Sequence, residues 1–127
     1  MVSPHAPLVG STRGLVTGPL IRSMKPGATL VNSARAAIVR EEEMVAALGE
    51  RPDLQAVLDV TEVEPVPADS PLRALPNVVL TPHLAGALGR ERARLGELLV
   101  GELRRYLSGQ PLQHEVIRET ADTMSEG

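Results

Sequence analysis

The chain has 127 residues, 43% hydrophobic and 23% charged, with a formal charge of -3, the balance of one soluble globular domain. With no cysteine present, disulfide frameworks, thiolate metal sites and cysteine nucleophiles are excluded. Tyr106 is the one aromatic residue, so the core is expected to be aliphatic, and neither stacking platforms nor net charge favour a nucleic-acid partner.

In chain order, Val2-Ser3 reads as a strand stub, and residues 17–24 as a short helix leading into the break Lys25-Pro26-Gly27. Residues 27–32 form a short apolar run, predicted as a buried strand. Residues 41–48 place Met44, Val45 and Leu48 on one face with acids in the first turn, an amphipathic helix favoured by its own dipole. Residues 54–60 are a second apolar strand. The proline-rich stretch 64–71 is a loop with one helical turn near Leu72, and residues 78–81 form a third strand stopped by Pro82. Residues 88–107 carry Leu88, Leu95, Leu98, Leu99, Leu103 and Leu107 in a stripe interrupted by Glu102, with arginines opposite. Gly109-Gln110-Pro111 terminates that helix, and residues 115–127 form a polar, loosely held tail. Strands alternating with helices predict a parallel α/β sheet with right-handed crossovers. Three strands and a stub make about half of a doubly wound domain. No apolar run approaches the roughly 20 residues of a membrane helix. The start lacks the basic and apolar regions of a signal peptide, so a cytoplasmic location is expected.

In open parallel sheets, ligands sit beyond the carboxyl ends of the strands. After the first strand comes Asn32-Ser33-Ala34-Arg35; after the second come Asp59, Glu62 and Glu64; after the third comes His83. Taken singly, Arg35 reads as a surface cation, Glu62 and Glu64 as solvated acids, and His83 as a hydrogen-bonded loop histidine. Asp59 differs, because an acid ending an apolar strand is costly to bury without a partner. An arginine, carboxylates and a histidine converging on one sheet edge is the strongest signal that spacing provides. His114, in the polar tail, is given no role.

The segment 24–35, Met-Lys-Pro-Gly-Ala-Thr-Leu-Val-Asn-Ser-Ala-Arg, resembles the MKxGAxLVNxARG motif of the D-isomer specific 2-hydroxyacid dehydrogenases. Residues 58–65 resemble that family's LDVFExEP, and residues 69–86 its SPLxxLPNVxLTPHxxG, in the same order and spacing. The resemblance covers residues 1–109, taken as the back half of the family's NAD-binding domain, with 110–127 as a polar tail. It implies a partial Rossmann-like, doubly wound parallel sheet and hydride transfer between NAD or NADP and C2 of a 2-hydroxy or 2-keto acid. By the same resemblance Arg35 binds the substrate carboxylate and polarises its carbonyl, His83 is the general acid and base, and Glu64 orients the imidazole. Asp59 matches the aspartate that holds the nicotinamide carboxamide. His5, Pro7 and Thr12 resemble the HxPLT loop near the cofactor, and Ala34, Ala85 and Gly86 complete the cofactor-contacting set.

Several departures stand out. Ala36 replaces a usual glycine and is expected to crowd the backbone beside Arg35. Arg40 replaces an acid, with loss of a helix N-cap worth roughly 1 kcal/mol; Thr61 replaces an aromatic. No G-x-G-x-x-G occurs, nor an acid about 20 residues beyond one, and the family's substrate domain is missing. Met1 falls where the fourth strand of the cofactor domain ends. The expectation is therefore a dehydrogenase fragment, weak or inactive alone, that forms homo-oligomers or takes its missing half from a partner. The alternative is a non-catalytic remnant serving as a binding or oligomerisation module, and a third reading is an unrelated α/β domain. Which 2-hydroxy acid it takes, and NAD against NADP, stay open.

Overall fold

Apolar β-branched and leucine residues at 29–32, 55–58 and 78–80 assemble the sheet in the computed structural model, which describes residues 1–121 and 124. The strands β1 (Thr29–Asn32), β2 (Gln55–Leu58) and β3 (Val78–Leu80) lie in the order β1-β2-β3, all parallel. Val2 adds a parallel bridge to Leu30, donating to Thr29 O at 2.8 Å and accepting from Val31 N–H at 2.8 Å. The strand stub read at Val2-Ser3 is thus a single parallel bridge beside β1. Around the sheet lie α1 (Gly18–Arg22), α2 (Glu41–Glu50) and α3 (Pro71–Ala74), and α4 (Arg90–Leu107) and α5 (Arg118–Ala121) follow. By Cα proximity the described residues divide into two compact units, 1–84 with Met124, and 85–121.

The first unit is organised on an aliphatic core. Ile21 of α1, Leu30 of β1, Leu48 of α2, Leu58 of β2 and Leu72 of α3 are buried together with Ile38 and Leu54. Each fully buried leucine or isoleucine is worth about 1.5–3 kcal/mol relative to exposure, which is what fixes helices as short as α1 and α3. Lys25-Pro26-Gly27 turns the chain into β1 with Gly27 at φ 71°, and the Gly27 N–H donates to Asp53. The cap lost at Arg40 is confirmed: its side chain makes no cap bond, and instead donates to Gly14 O and Glu43. Three glutamates in the first turn of α2 complement its dipole. Residues 36–38 form a single 3-10 turn, and Ala36 is not at positive φ, so its backbone conformation does not call for glycine.

In the second unit, α4 is an 18-residue helix with no buried residue. Its C-terminal end is closed by Gly109 at φ 66°. Residues 111–114 fold back on the end of α4. The Glu102 carboxylate accepts from the N–H groups of Gln113 (2.9 Å) and His114 (3.0 Å), which keep its pKa low, and Arg105 donates to Pro111 O. Residues 122, 123 and 125–127 of the expected tail lie outside the described residues.

Candidate active site

The parallel register sets Asn32 beside Leu58 and Leu58 beside Leu80. The ladder continues one step further, with Asp59 N–H donating to Asn32 O at 2.9 Å and Thr81 N–H to Leu58 O at 3.0 Å. The three segments that follow the strands therefore leave the sheet at the same edge, where ligand sites of parallel sheets are built.

Asp59 is 7% exposed. Its Oδ1 accepts from the Thr81 hydroxyl and, at 2.8 Å, from the Leu84 N–H. The burial cost that marks this acid in the sequence is offset by donors from the segment leaving β3. That segment carries His83, whose backbone sits in the left-handed region at φ 51°, a conformation in which histidine is enriched relative to branched residues. His83 Nδ1 lies 2.8 Å from Glu64 Oε2. The other oxygen of Glu64 accepts from Thr61 N–H at 3.0 Å. The His83 bond first, and the Thr61 N–H second, hold the Glu64 carboxyl below the usual glutamate range. An ionised carboxylate only accepts, so Nδ1 carries the shared hydrogen and Nε2 is the second ring position.

Asp59, Glu64 and His83 line one cleft of about 440 Å³, together with Thr81, Leu80 and Arg73. Arg35 is not among the residues lining it. It is exposed, at the start of the 3-10 turn after β1, and donates to Ala34 O at 2.9 Å. The reason is geometric: β1 and β3 are separated by β2, so their ends stand roughly 10 Å apart. The turn bearing Arg35 is itself well defined. Buried Asn32 donates to Arg35 O (3.1 Å) and accepts from Ala34 N–H (3.2 Å).

The HxPLT-like loop is internally bonded. Thr12 Oγ1 donates to Pro7 O at 2.6 Å and accepts from Val9 N–H at 2.9 Å, while His5 and Pro7 are exposed. Glu62 contributes its backbone rather than its carboxylate, donating N–H to Glu41 Oε2 at 2.8 Å. Ala85 and Gly86 belong to the second unit. Among the polar residues lining the cleft, sequence reasoning gave no site role to Thr61, Thr81 or Arg73. Thr81 was in plain view as the hydroxyl two positions before the histidine; Arg73, in a loop-borne helical turn, carried no signal.

Residues 1–85 match the family described as "D-isomer specific 2-hydroxyacid dehydrogenase, NAD binding domain". The chain is 42% identical over 106 residues to the (S)-sulfolactate dehydrogenase of Chromohalobacter salexigens, covering 84% of this chain and 34% of that protein. It is 42% identical over 110 residues to the glyoxylate reductase of Thermofilum pendens, covering 87% of this chain and 32% of the relative. Among solved structures, a D-isomer specific 2-hydroxyacid dehydrogenase from Xanthobacter autotrophicus Py2, in complex with NADPH and MES, is 38% identical with a TM-score of 0.76. That alignment covers 94% of this chain and 48% of the other. This chain thus spans about a third of the length of the curated relatives it matches. It is a member of the D-isomer specific 2-hydroxyacid dehydrogenase family, matching it through the NAD-binding domain.

Proposed function

We propose that this chain is the catalytic end of a NAD(P)-dependent 2-hydroxyacid dehydrogenase. In this reading His83 is the general acid and base, Glu64 its orienting carboxylate, and Arg35 the anchor for the substrate carboxylate. The observation that carries it is the 2.8 Å bond between Glu64 and His83 at the carboxyl edge of a parallel sheet. When bound, a nicotinamide cofactor supplies or accepts the hydride. With Nδ1 tied to Glu64, Nε2 gives a proton to the substrate carbonyl oxygen in reduction and takes it from the hydroxyl in oxidation. Asp59 fixes the segment that presents the imidazole. The planar fork of Arg35 suits a carboxylate better than an ammonium does. The named relatives support small 2-hydroxy or 2-keto acids such as glyoxylate as the substrate class.

The residues present fit the nicotinamide end of the cofactor and not its pyrophosphate end. The Asn32–Arg35 turn, Asp59 and His83 lie along the sheet edge where a nicotinamide ring would be met. No G-x-G-x-x-G occurs. The Gly18 N–H at the start of the five-residue α1 donates to Glu43 Oε2 at 2.7 Å and so serves the fold. Thr12 spends its hydroxyl on its own loop. The pure chain is accordingly expected to show no saturable NADH binding at micromolar concentration and negligible reduction of glyoxylate or hydroxypyruvate. Joined behind the first two thirds of a glyoxylate reductase, it is expected to restore reduction. His83→Ala in that chimera should then lose roughly 100- to 10,000-fold in kcat. Full activity of the His83→Ala chimera would refute the assignment.

A role as an association module is favoured by one observation: Leu95, Leu99, Leu103 and Leu107 of α4 are each more than half exposed. Sedimentation of the pure chain as a monodisperse monomer would count against it.

A further inference from the structure

We propose that Arg73 is a positioning residue for the Glu64–His83 pair: its guanidinium staples the proline-rich loop into the shape that presents the Glu64 carboxylate to the imidazole. The loop between β2 and α3 contains Pro65 and Pro67, which lack N–H donors, so its backbone is poorly equipped to close on itself. Its incoming half is held by Thr61, whose N–H meets Glu64 and whose hydroxyl donates to Val63 O at 3.0 Å, and by the Glu62–Glu41 bond. Its outgoing half depends on Arg73. Nε donates to Pro67 O at 2.9 Å and a terminal nitrogen to Val66 O at 2.9 Å, so one planar fork grips two successive carbonyls. Ser70 N–H adds a longer bond to Pro67 O at 3.2 Å.

The staple has a fixed base. Leu72, the preceding residue, is 1% exposed in the core, and Ser70 caps α3 on Leu72 N–H with Pro71 in its first turn. Rigidity thus runs from the core through Leu72 to Arg73, across to Val66, and back two residues to Glu64. Arg73 also lines the cleft that contains Glu64 and His83, yet it forms no ion pair with Glu64 among the described residues. Its action is through loop geometry and not through its charge. A lysine, with one donor head and no fork, reaches one carbonyl at a time.

The inference deepens the proposed function but is tested without cofactor or turnover, so the two fail separately. Labelled wild-type chain and the Arg73→Ala, Arg73→Gln and Arg73→Lys variants are titrated by NMR, following the Glu64 carboxyl carbon and the two ring nitrogens of His83. In the wild type, Glu64 titrates below the ordinary glutamate value of 4.5, and neutral His83 carries its hydrogen on Nδ1. Expected for Arg73→Ala is a Glu64 midpoint moved up toward 4.5 and loss of the Nδ1–H preference to a tautomer mixture, with amide shifts of β1–β3 unchanged. Arg73→Lys should lie between the two. Should Arg73→Ala fail to fold, Arg73→Gln, which keeps a polar stem, is read in the same way. Any variant that folds, lacks the guanidinium and leaves both Glu64 midpoint and His83 tautomer at their wild-type positions overturns the proposal.

Discussion

Replacing Asp59 by alanine tests the hinge on which the proposed acid–base residue hangs. Its Oδ1 accepts from Thr81 and Leu84, one residue on each side of the Pro82-His83 pair. Hydrogen bonds to a charged group are worth about 1.5–3 kcal/mol each. Thr81 is half-buried and Leu84 is 51% exposed, so the low end applies to both, giving about 3 kcal/mol for Asp59→Ala. Thr81→Val removes one of the two donors and is expected to cost about 1.5 kcal/mol. In the double variant the Thr81 bond is not lost twice. Its cost stays at about 3 kcal/mol instead of the additive 4.5, a coupling of about 1.5 kcal/mol. Urea unfolding at constant m-value supplies all four free energies. A fully additive cycle would refute the reasoning, since it would mean that the Thr81 hydroxyl and the Asp59 carboxylate stabilise the fold independently. Amide exchange at His83 and Leu84 should accelerate in Asp59→Ala beyond the global effect, because the segment loses its anchor before the sheet loses its ladder.

Three further outcomes follow from the same contacts. Glu64 has its folded pKa lowered, first by the His83 bond and then by Thr61 N–H; its carboxylate stabilises the fold above 4.5 and the contribution is lost as pH falls through the folded value. The stability gap between wild type and Glu64→Gln should therefore close as pH falls through the folded value, and a gap that persisted in strong acid would contradict it. Asp53 is held at about 2, against an ordinary 3.8, chiefly by Arg51; Arg51→Ala should raise its NMR titration midpoint toward 3.8, though not fully, since Gly27 N–H remains bonded to it. Asn77 donates to the carbonyls of Leu48 (3.1 Å) and Leu54 (2.9 Å), tying β3 to the end of α2. Asn77→Ala should cost about 1–3 kcal/mol by leaving both acceptors unmatched, and an unchanged urea midpoint would exclude that role.

The fold was legible where burial and pairing coincide. All three strands and α2 stand where the apolar runs put them, yet the runs overstate β2. Leu54 and Val60 are as buried as a strand interior, at 0% and 4% exposure, but lie outside the ladder, in which the four residues of β2 match the four of β1. Apolarity reports burial, not hydrogen-bond partners. The long helix starts at Arg90 and not Leu88, since Gly89 at φ 52° breaks the helical path that the leucine spacing suggests. At the site, Asp59 was legible from physics alone: an acid ending an apolar strand had to find donors. Spacing placed Glu64 and His83 at one sheet edge, but which carboxylate meets the imidazole was legible only through motif resemblance, since 19 residues and a proline-rich loop separate the two. Arg35 was rightly placed at the sheet edge, but the separation across β2 keeps it out of the cleft.

These placements divide the candidate chemistry into parts of different range. The proton-handling part is assembled wholly from residues 59–84. Asp59 holds the segment bearing His83, Glu64 holds the imidazole, and the loop between them returns to a helical turn anchored by a core leucine. The Asp59, Glu64 and His83 contacts close within two neighbouring strands and their connection, and the Glu62–Glu41 bond ties that connection to α2. Cofactor retention is a long-range property by comparison. It needs a phosphate-binding turn at the start of a helix, and the G-x-G-x-x-G that would form one does not occur in these residues. A third of a relative's length can therefore carry the Glu64–His83 pair of the proposed chemistry while leaving affinity to other residues. It follows that damage to residues 59–84 should appear in a reconstituted enzyme as lost kcat at nearly constant cofactor affinity, whereas restoring the phosphate turn should move affinity without altering the Glu64–His83 geometry.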